Sequence, residues 1–128
     1  MTMGCILRQV GDVTILDLDG RLSLGEALAV RPGRDLPLGE VVRELVSDGH
    51  KKILLNLAHV KYVDSSGVGQ LVGTLTSARS QGVELKMFNP AKPVLDLLKM
   101  TKLLAVFDVQ DNEDAAIAAF SKGAAARV

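Results

Sequence analysis

The sequence predicts an α/β fold: an N-terminal β-hairpin joined to a mostly parallel sheet of about five strands, with about four helices packed mainly on one side. Three observations support this prediction. Hydrophobic residues make up 48% of the 128 residues, but only 3% are aromatic, which favours an aliphatic core. Strand and helix patterns alternate along most of the chain. Two β-rich segments at the N-terminus are separated by only two residues.

The hairpin is predicted from residues 5–10 and 13–18, because Gly11-Asp12 between them suits a tight turn. Residues 25–37 follow the second strand and contain Pro32 and Gly33, which interrupt any periodic pattern. We therefore expect an extended loop over residues 25–37.

Helices and strands then alternate. Apolar residues at intervals of three and four predict a first helix from Leu38 to Val46, with Gly49 as its stop. Residues 53–57 predict a compact apolar strand. Apolar and polar residues alternate over residues 83–88, which predicts a strand with one more solvent-exposed face. The second helix is marked by Val68, Leu71, Val72 and Leu75 and ends near Gly82.

The C-terminal part predicts one more strand and two more helices. Asn89 and Pro90 are expected to be the cap and first residue of the third helix. Residues 105–109 predict a short strand, and the acidic run 111–114 opens a final helix over residues 115–120. We expect one domain over residues 1–122 and a C-terminal tail over residues 123–128.

Charge and composition exclude several functions. The chain has 15 basic residues (Lys and Arg) and 15 acidic residues (Asp and Glu). Its net charge therefore creates no overall electrostatic field that would attract nucleic acid or an anionic membrane. No stretch is long and apolar enough for membrane insertion, and the N-terminus lacks an export signal, so we expect a cytoplasmic protein. The single cysteine, Cys5, can form neither an internal disulfide nor a thiol cluster for a metal, and we interpret it as strand packing.

A glycine-rich stretch superficially resembles a dinucleotide-binding loop, with glycines at Gly67, Gly69 and Gly73. In that motif the glycines directly follow a strand, whereas residues 58–66 intervene here, and the third glycine falls one place late. Asn89 also stands where a ribose-binding carboxylate is expected. A nucleotide site of this type is therefore not predicted.

Hydrolysis by an activated serine is a second alternative, with His50 or His59 as the base. A nucleophile elbow places glycine two residues before the serine, but neither Ser65 nor Ser66 has glycine there. We interpret both histidines as solvated loop residues, so no catalytic residue is predicted.

The run Asp64-Ser65-Ser66-Gly67 places three capping residues immediately before the second helix. Aspartate and serine oxygens accept hydrogen bonds from the first free amides of a helix, and this structural role requires no further function. The composition of the helix suggests more, because its non-core positions are mostly small: Gly69, Gly73, Thr74, Thr76, Ser77 and Ser80. Such a face suits either the close approach of a partner protein or packing of a neighbouring helix of the same domain.

Four segments together carry a family resemblance: residues 20–22 (Gly-Arg-Leu), 53–57 (Ile-Leu-Leu-Asn-Leu), 63–69 (Val-Asp-Ser-Ser-Gly-Val-Gly) and 97–103 (Leu-Leu-Lys-Met-Thr-Lys-Leu). With the opening strands they cover nearly the whole chain, and the chain resembles the STAS domain, specifically the bacterial anti-sigma factor antagonists. The aspartate-serine-serine-glycine element is the most specific part of the resemblance.

The resemblance implies that Ser65, directly after the aspartate, is phosphorylated by a partner kinase that is also the anti-sigma factor. The unphosphorylated antagonist would bind the anti-sigma factor and free a sigma factor; phosphorylation would release it, and a separate serine phosphatase would reset the switch. ATP would belong to the kinase, so this chain is expected to be a binding protein without cofactors rather than an enzyme. The expected partner-binding residues are Asp64, Ser65, Ser66, Gly67, Gly69, Gln70 and Gly73.

Two departures from the family pattern limit what carries over. Family members often have an acidic residue where this chain has Ser23, and residues 26–38 are several residues longer than usual. The extra residues either shape partner choice or form a neutral surface insertion. The alternative function is a STAS scaffold or accessory subunit of a stress-signalling or lipid-transport complex, in which the serine is not phosphorylated.

Overall fold

The computed structural model describes residues 2–22, 27–31, 34–102 and 109–125, with side chains placed for residues 4–22, 36–102 and 109–120. The strands are β1 (Thr2–Val10), β2 (Val13–Leu22), β3 (Ala27–Arg31), β4 (Arg34–Leu36), β5 (Lys52–Val63), β6 (Glu84–Phe88) and β7 (Val109–Gln110). The helices are α1 (Leu38–Ser47), α2 (Ser65–Ser80), α3 (Lys92–Met100) and α4 (Glu113–Ala125).

All seven strands belong to one mixed sheet with the order β4-β3-β1-β2-β5-β6-β7. The strands β1 and β2 are antiparallel, whereas β2, β5, β6 and β7 are mutually parallel. This arrangement confirms the predicted α/β fold with its opening hairpin. Of the short strand predicted over residues 105–109, Val109 lies in β7, and residues 105–108 lie outside the described residues.

The predicted extended loop over residues 25–37 is wrong, because two strands lie within it. The outer edge of β1 is available at its N-terminal end, and β3 pairs there in parallel, with Thr2 opposite Ala27. An antiparallel partner, β4, then extends the sheet by one more strand. The proline and glycine that suggested a loop fall between these two strands.

The hairpin turn between β1 and β2 is as tight as predicted. Val10 is opposite Val13, and Gly11 has a φ of 59°. A positive φ at the first central residue is the requirement of a type II′ turn, which matches the twist of the flanking strands. Glycine meets this requirement without steric cost.

The two faces of the sheet are covered unequally. The larger core lies between the sheet and helices α1, α2 and α3, and it includes the side chains of Leu16, Leu55, Leu75 and Val94. The smaller core lies under α4 and consists of Val13, Ile15, Leu54, Phe88, Ala116 and Phe120. Three of the four described helices therefore pack on one face, as predicted.

Cys5 belongs to the larger core. Burial, and to a lesser extent the charge of Asp17, raises the pKa of its thiol to about 11. The thiol is therefore protonated at neutral pH and has little nucleophilic character. The interpretation of Cys5 as strand packing is confirmed.

Strand β5 is more than twice as long as predicted, and His59 lies within it rather than in a loop. The extension exists because β5 pairs with β2 as far as Leu22 and Val63. Two register shifts interrupt this pairing, and at each one β5 has one more residue than β2. Such bulges leave a backbone group without a ladder partner.

At the first bulge, the side chain of Asn56 replaces the missing partner. Its Oδ1 accepts a hydrogen bond from the amide of Ala58 at 3.1 Å, and its Nδ2 donates to Oδ1 of Asp17 at 2.7 Å. This explains the single polar residue in an otherwise apolar strand segment.

Arg8 connects the strands to the last helix. Its guanidinium donates to both carboxylate oxygens of Asp17 and, at 2.7 Å, to Oε1 of Glu113 in the first turn of α4. Hydrogen bonds from Arg8 and then from Asn56 hold the pKa of Asp17 below its usual range, although partial burial opposes this. The network therefore joins β1, β2, β5 and α4 through one cation and two carboxylates.

Several helix details differ from the predictions. Helix α3 begins at Lys92 after Ala91, two residues later than expected, because Asn89 has a φ of 53° and its amide donates to the carbonyl of Gln110 at 2.9 Å. Val72 is exposed rather than part of the core stripe of α2. Residues 123–125 belong to α4 rather than to the predicted tail.

No helix within the described ranges is long and apolar enough to cross a membrane.

The Asn56 bridge leads to a first prediction. Replacing Asn56 by alanine leaves the amide of Ala58 without its partner and removes a donor from Asp17, so we expect a loss of about 1–3 kcal/mol in the free energy of unfolding. Urea denaturation followed by circular dichroism measures this loss. As a control, Gln81→Ala changes an exposed residue at the end of α2 and should alter stability by less than about 0.5 kcal/mol. Equal stabilities of the two variants would contradict the bridging role.

Candidate functional site

The predicted site lies where β5 ends and α2 begins. Val63 is the last residue of β5 and pairs with Leu22 at the end of β2. Asp64 follows in an extended conformation, and Ser65 is the first residue of α2. Because the carboxyl ends of parallel strands meet at one edge of the sheet, this junction is on the rim of the fold.

Asp64 is the N-cap of α2. Its Oδ1 accepts a hydrogen bond from the hydroxyl of Ser66 at 2.6 Å and another from the amide of Gly67 at 2.8 Å. These two donors, the hydroxyl first, hold the pKa of the Asp64 carboxyl below its usual range. The side chain is therefore an anion at neutral pH, placed where the helix dipole favours negative charge.

The two serines have different environments. Ser66 is partly buried, and its hydroxyl is used in the bond to Asp64. Ser65 is exposed, and its hydroxyl has no hydrogen-bond partner among the residues that the structure describes. Only Ser65 of this pair thus presents a hydroxyl to an approaching protein.

Gly67 is buried against the end of β2. A Cβ added at this position would lie 2.1 Å from the carbonyl oxygen of Leu22 and 3.0 Å from Cγ1 of Val63. These distances are too short for any side chain. Glycine at position 67 is therefore what allows α2 to begin directly above the last pair of β2 and β5.

The small residues of α2 fall into two groups. Thr74 is buried, its hydroxyl donates to the carbonyl of Gln70 at 2.7 Å, and an added Cβ on Gly39 of α1 would lie 3.7 Å from it. Gly69 and Gly73 are exposed, and added Cβ atoms there would meet no heavy atom of the described residues within 4 Å. Packing of a neighbouring helix therefore accounts for Thr74, and it does not account for the two glycines.

The alternative chemistries find no support in the described residues. Gly67, Gly69 and Gly73 lie within α2 itself and do not form a loop after a strand. His50 is partly buried rather than solvated, with its Nδ1 at 2.6 Å from Oγ1 of Thr14. No group of three or more potential ligands in the described part of the chain could hold a metal ion.

Two residues important for the site, Leu22 and Asn56, were not among the predicted site residues, although both lie in segments that carry the family resemblance. The carbonyl of Leu22 forms the floor of the site, and Asn56 stabilises the bulge through which β5 reaches it. The sequence contains one indirect signal for the contact with Leu22. Gly67 lies in the first turn of α2, where glycine lowers helix stability, and its presence there indicates a close contact with another segment.

The contact between Gly67 and Leu22 gives a second prediction. Gly67→Ala should lower the free energy of unfolding by about 1–3 kcal/mol, because its Cβ cannot fit beside the carbonyl of Leu22. Gly73→Ala is the matched control, since it has open space and should stabilise α2 by about 0.5–1 kcal/mol. Thermal and urea unfolding measure both changes, and a Gly67→Ala variant as stable as the wild type would contradict the close contact.

The cap gives a third prediction, on pH. Because the native pKa of Asp64 lies below the ordinary 3.8, its carboxylate stabilises the fold fully above that ordinary value, and this contribution is lost as the pH falls through the native pKa. We expect Asp64→Ala to be less stable than the wild type at neutral pH, with a difference that shrinks in acid. An NMR titration of the Asp64 carboxyl checks the direction of the shift, and a native pKa at or above 3.8 would contradict it.

Comparison with known proteins identifies relatives in sequence and in fold. The anti-sigma-B factor antagonist of Staphylococcus aureus is 31% identical over 77 residues, which are 60% of this chain and 71% of that protein. An anti-sigma factor antagonist from Mycobacterium paratuberculosis superposes with a TM-score of 0.71 at 16% identity, covering 91% of this chain and 92% of its own. The Bacillus protein SpoIIAA in its phosphorylated form superposes with a TM-score of 0.63 at 19% identity, covering 91% and 98% of the two chains.

These solved structures share the fold of this chain, and the relative from Staphylococcus aureus matches at the level of sequence. The family model described as STAS domain matches residues 5–116. Since that match covers most of the chain and includes the junction between β5 and α2, the chain belongs to the STAS domain family.

Proposed function

We propose that this protein is an anti-sigma factor antagonist whose Ser65 is the phosphorylation site of a partner-switching cascade. In this proposal the unphosphorylated chain binds an anti-sigma factor that is also a serine kinase, and so frees a sigma factor. Phosphorylation of Ser65 releases the anti-sigma factor, and a serine phosphatase restores the first state. This chain receives the phosphate and catalyses no step.

The observation that carries the proposal is the difference between the two serines. A kinase needs an acceptor hydroxyl that is exposed and can enter the active site of the kinase. Ser65 is exposed, whereas the hydroxyl of Ser66 donates to Asp64 at 2.6 Å. Breaking that bond would also weaken the cap of α2, which makes Ser66 the poorer acceptor of a phosphate.

The surface around Ser65 suits a close protein contact. Gly69 and Gly73 are exposed on the same helix and carry no side chains that would hold a partner away. Gln70, partly buried beside them, adds a polar group near the rim of this surface. We assign the contact to Asp64, Ser65, Ser66, Gly67, Gly69, Gln70 and Gly73.

The fold should tolerate the phosphate. Ser65 is the first residue of α2, where the helix dipole favours negative charge, and the phosphate adds about −1.5 to −2 charges at neutral pH. The Asp64 carboxylate beside it repels that charge, so the modified site is strongly anionic. A partner surface fitted to a neutral hydroxyl then meets a bulky, hydrated anion. We infer a change of partner with little change of shape.

The names of the related proteins support this proposal. The Staphylococcus aureus relative is an anti-sigma-B factor antagonist, and SpoIIAA, which shares the fold, has been solved in a phosphorylated form.

A fourth prediction concerns the acceptor. Incubation with the cognate anti-sigma kinase and ATP should place one phosphate on Ser65, and Ser65→Ala should abolish labelling. Ser66→Ala is the matched control and should retain labelling, because its hydroxyl is used in the cap. Peptide mass spectrometry locates the phosphate. Phosphate at another residue, or undiminished labelling of Ser65→Ala, would reject the assignment.

The binding step can be tested with the same proteins. Ser65→Asp should weaken binding of the anti-sigma factor by roughly a hundredfold, equivalent to about 3 kcal/mol, as measured by calorimetry. Its circular dichroism spectrum should match the wild type. An unfolded Ser65→Asp variant would show that the fold does not tolerate a negative charge at position 65. Tight binding of both forms would favour a constitutive scaffold instead of a switch.

A further inference from the structure

Arg21 and Tyr62 form an exposed pair near the proposed phosphorylation site. The Cζ atom of Arg21 lies 4.5 Å from the centre of the Tyr62 ring, Arg21 is exposed, and Tyr62 is 42% exposed. In such a cation–π pair the flat guanidinium stacks on the negative face of the ring. The chain has one tyrosine and no tryptophan. Its single tyrosine therefore lies at the surface with a cation on its ring.

A bulge in β5 brings these two residues together. The second register shift lies between Gly20 and Arg21, and it leaves Lys61 without a partner in β2. Arg21 then pairs with Tyr62. Without the bulge Arg21 would lie opposite Lys61, and two like charges would face each other. Bulges redirect side chains in this way and are common next to functional sites.

The pair lies at the same edge of the sheet as Ser65. Arg21 precedes Leu22, whose carbonyl lies against Gly67, and Tyr62 is three residues before Ser65. Three residues of chain span at most about 11 Å. A stable protein contact buries about 800 Å² on each partner, which is a patch wider than that distance. A protein that covers the hydroxyl of Ser65 can therefore also contact Arg21 and Tyr62.

The guanidinium of Arg21 is arranged to bind an anion. Among the residues that the structure describes, none accepts a hydrogen bond from it. Stacking on Tyr62 uses the face of the group and leaves its edges, which carry the N–H donors, open to solvent. Planar donors of this kind bind a carboxylate through two parallel hydrogen bonds. Because the ring already restricts the side chain, less conformational entropy is lost when a partner binds.

Charge indicates which partner group fits this position. Asp64 is the only charged residue in the contact surface assigned above. Arg21 adds a cation next to that surface, and the exposed Lys61 adds a second one beside Tyr62. Two cations repel a basic group of a partner and attract an acidic one. Arginine and tyrosine are also the residue types that often contribute most to the free energy of protein association.

We propose that Arg21, held on the ring of Tyr62, is a further contact of the anti-sigma factor and binds a carboxylate of that partner. The inference rests on the proposed function, because it extends the same interface. Phosphorylation changes the charge at Ser65 and leaves Arg21 unchanged. Arg21 therefore determines which anti-sigma factor is bound, and Ser65 determines when it is bound.

Calorimetry with the cognate anti-sigma factor tests the charge. Arg21→Gln should weaken binding roughly tenfold to a hundredfold, the usual effect of losing a hydrogen-bonded charged pair. Arg21→Glu should weaken it further, because like charges then face each other. Lys51→Gln is the matched control, since it removes the same charge just before β5, at the opposite end of the strand, and should bind like the wild type. Undiminished binding of Arg21→Gln, or tighter binding of Arg21→Glu than of Arg21→Gln, would overturn the proposal.

Two variants of Tyr62 test the role of the ring. Tyr62→Phe keeps the ring face and should bind like the wild type, whereas Tyr62→Leu releases the guanidinium and should weaken binding. In a double-mutant cycle, Arg21→Gln and Tyr62→Leu together should lose less affinity than the sum of their separate losses. Additive losses, or equal affinities of Tyr62→Phe and Tyr62→Leu, would contradict a guanidinium held by the ring.

Urea unfolding of the same variants separates a partner contact from a structural role. Arg21 is exposed, so Arg21→Gln should unfold close to the wild type. If instead its weak binding came with a large loss of stability, the residue would be structural and the proposal would be rejected.

Failure of this inference differs from failure of the proposed function. Weak binding of Arg21→Gln together with tight binding of Ser65→Asp would support the contact and reject the phosphorylation switch. Wild-type affinity of Arg21→Gln together with weak binding of Ser65→Asp would reject the contact and leave the switch intact. A wild type that does not bind the anti-sigma factor would reject both.

Discussion

The parallel pairing of β2 with β5 is the constraint on which the rest of the structure depends. It runs from Thr14 and Ile53 to Leu22 and Val63, and it forms the centre of both cores. Two bulges let β5 follow β2 to its end, and Asn56 satisfies a backbone amide that the first bulge leaves free. Without this pairing, α2 would have no fixed starting point above Leu22. The site therefore depends on sheet register as much as on its own four-residue motif.

At that starting point, one carboxylate has two effects. Asp64 holds the amide of Gly67, which fixes the first turn of α2, and it also accepts the hydroxyl of Ser66. Two adjacent residues of the same type thereby become chemically different: the hydroxyl of Ser66 is bound in the helix cap, and that of Ser65 has no bond to any residue that the structure describes. The difference between the two serines arises from the geometry of the helix cap rather than from side-chain identity.

Most of the fold could be predicted from local patterns, because hairpin turns, amphipathic stripes and helix stops depend on neighbouring residues. Gly11 and Gly49 both adopt the positive φ that their predicted roles require. Predictions failed where distant pairing decides conformation: β3 and β4 form because β1 offers an edge, and His59 is in a strand because β2 continues beside it. Of the site, the Asp64 cap was predictable from residue type, and the assignment of Ser65 came from family resemblance. The contact of Gly67 with Leu22 joins segments more than forty residues apart, so no local pattern contains it.

The long separation between β2 and β5 has a consequence for the kinetics of folding. Their first pair, Thr14 with Ile53, closes a loop of about 40 residues, and non-local parallel pairing of this kind is slow compared with helix formation. Helix α2 can form transiently on its own, but Gly67 meets Leu22 only after the loop has closed. The environment that distinguishes Ser65 from Ser66 is therefore completed late in folding. A nascent or partly folded chain carries the same serines without the same surface, so in the proposed function a partner that binds the capped junction selects chains whose central strands have paired.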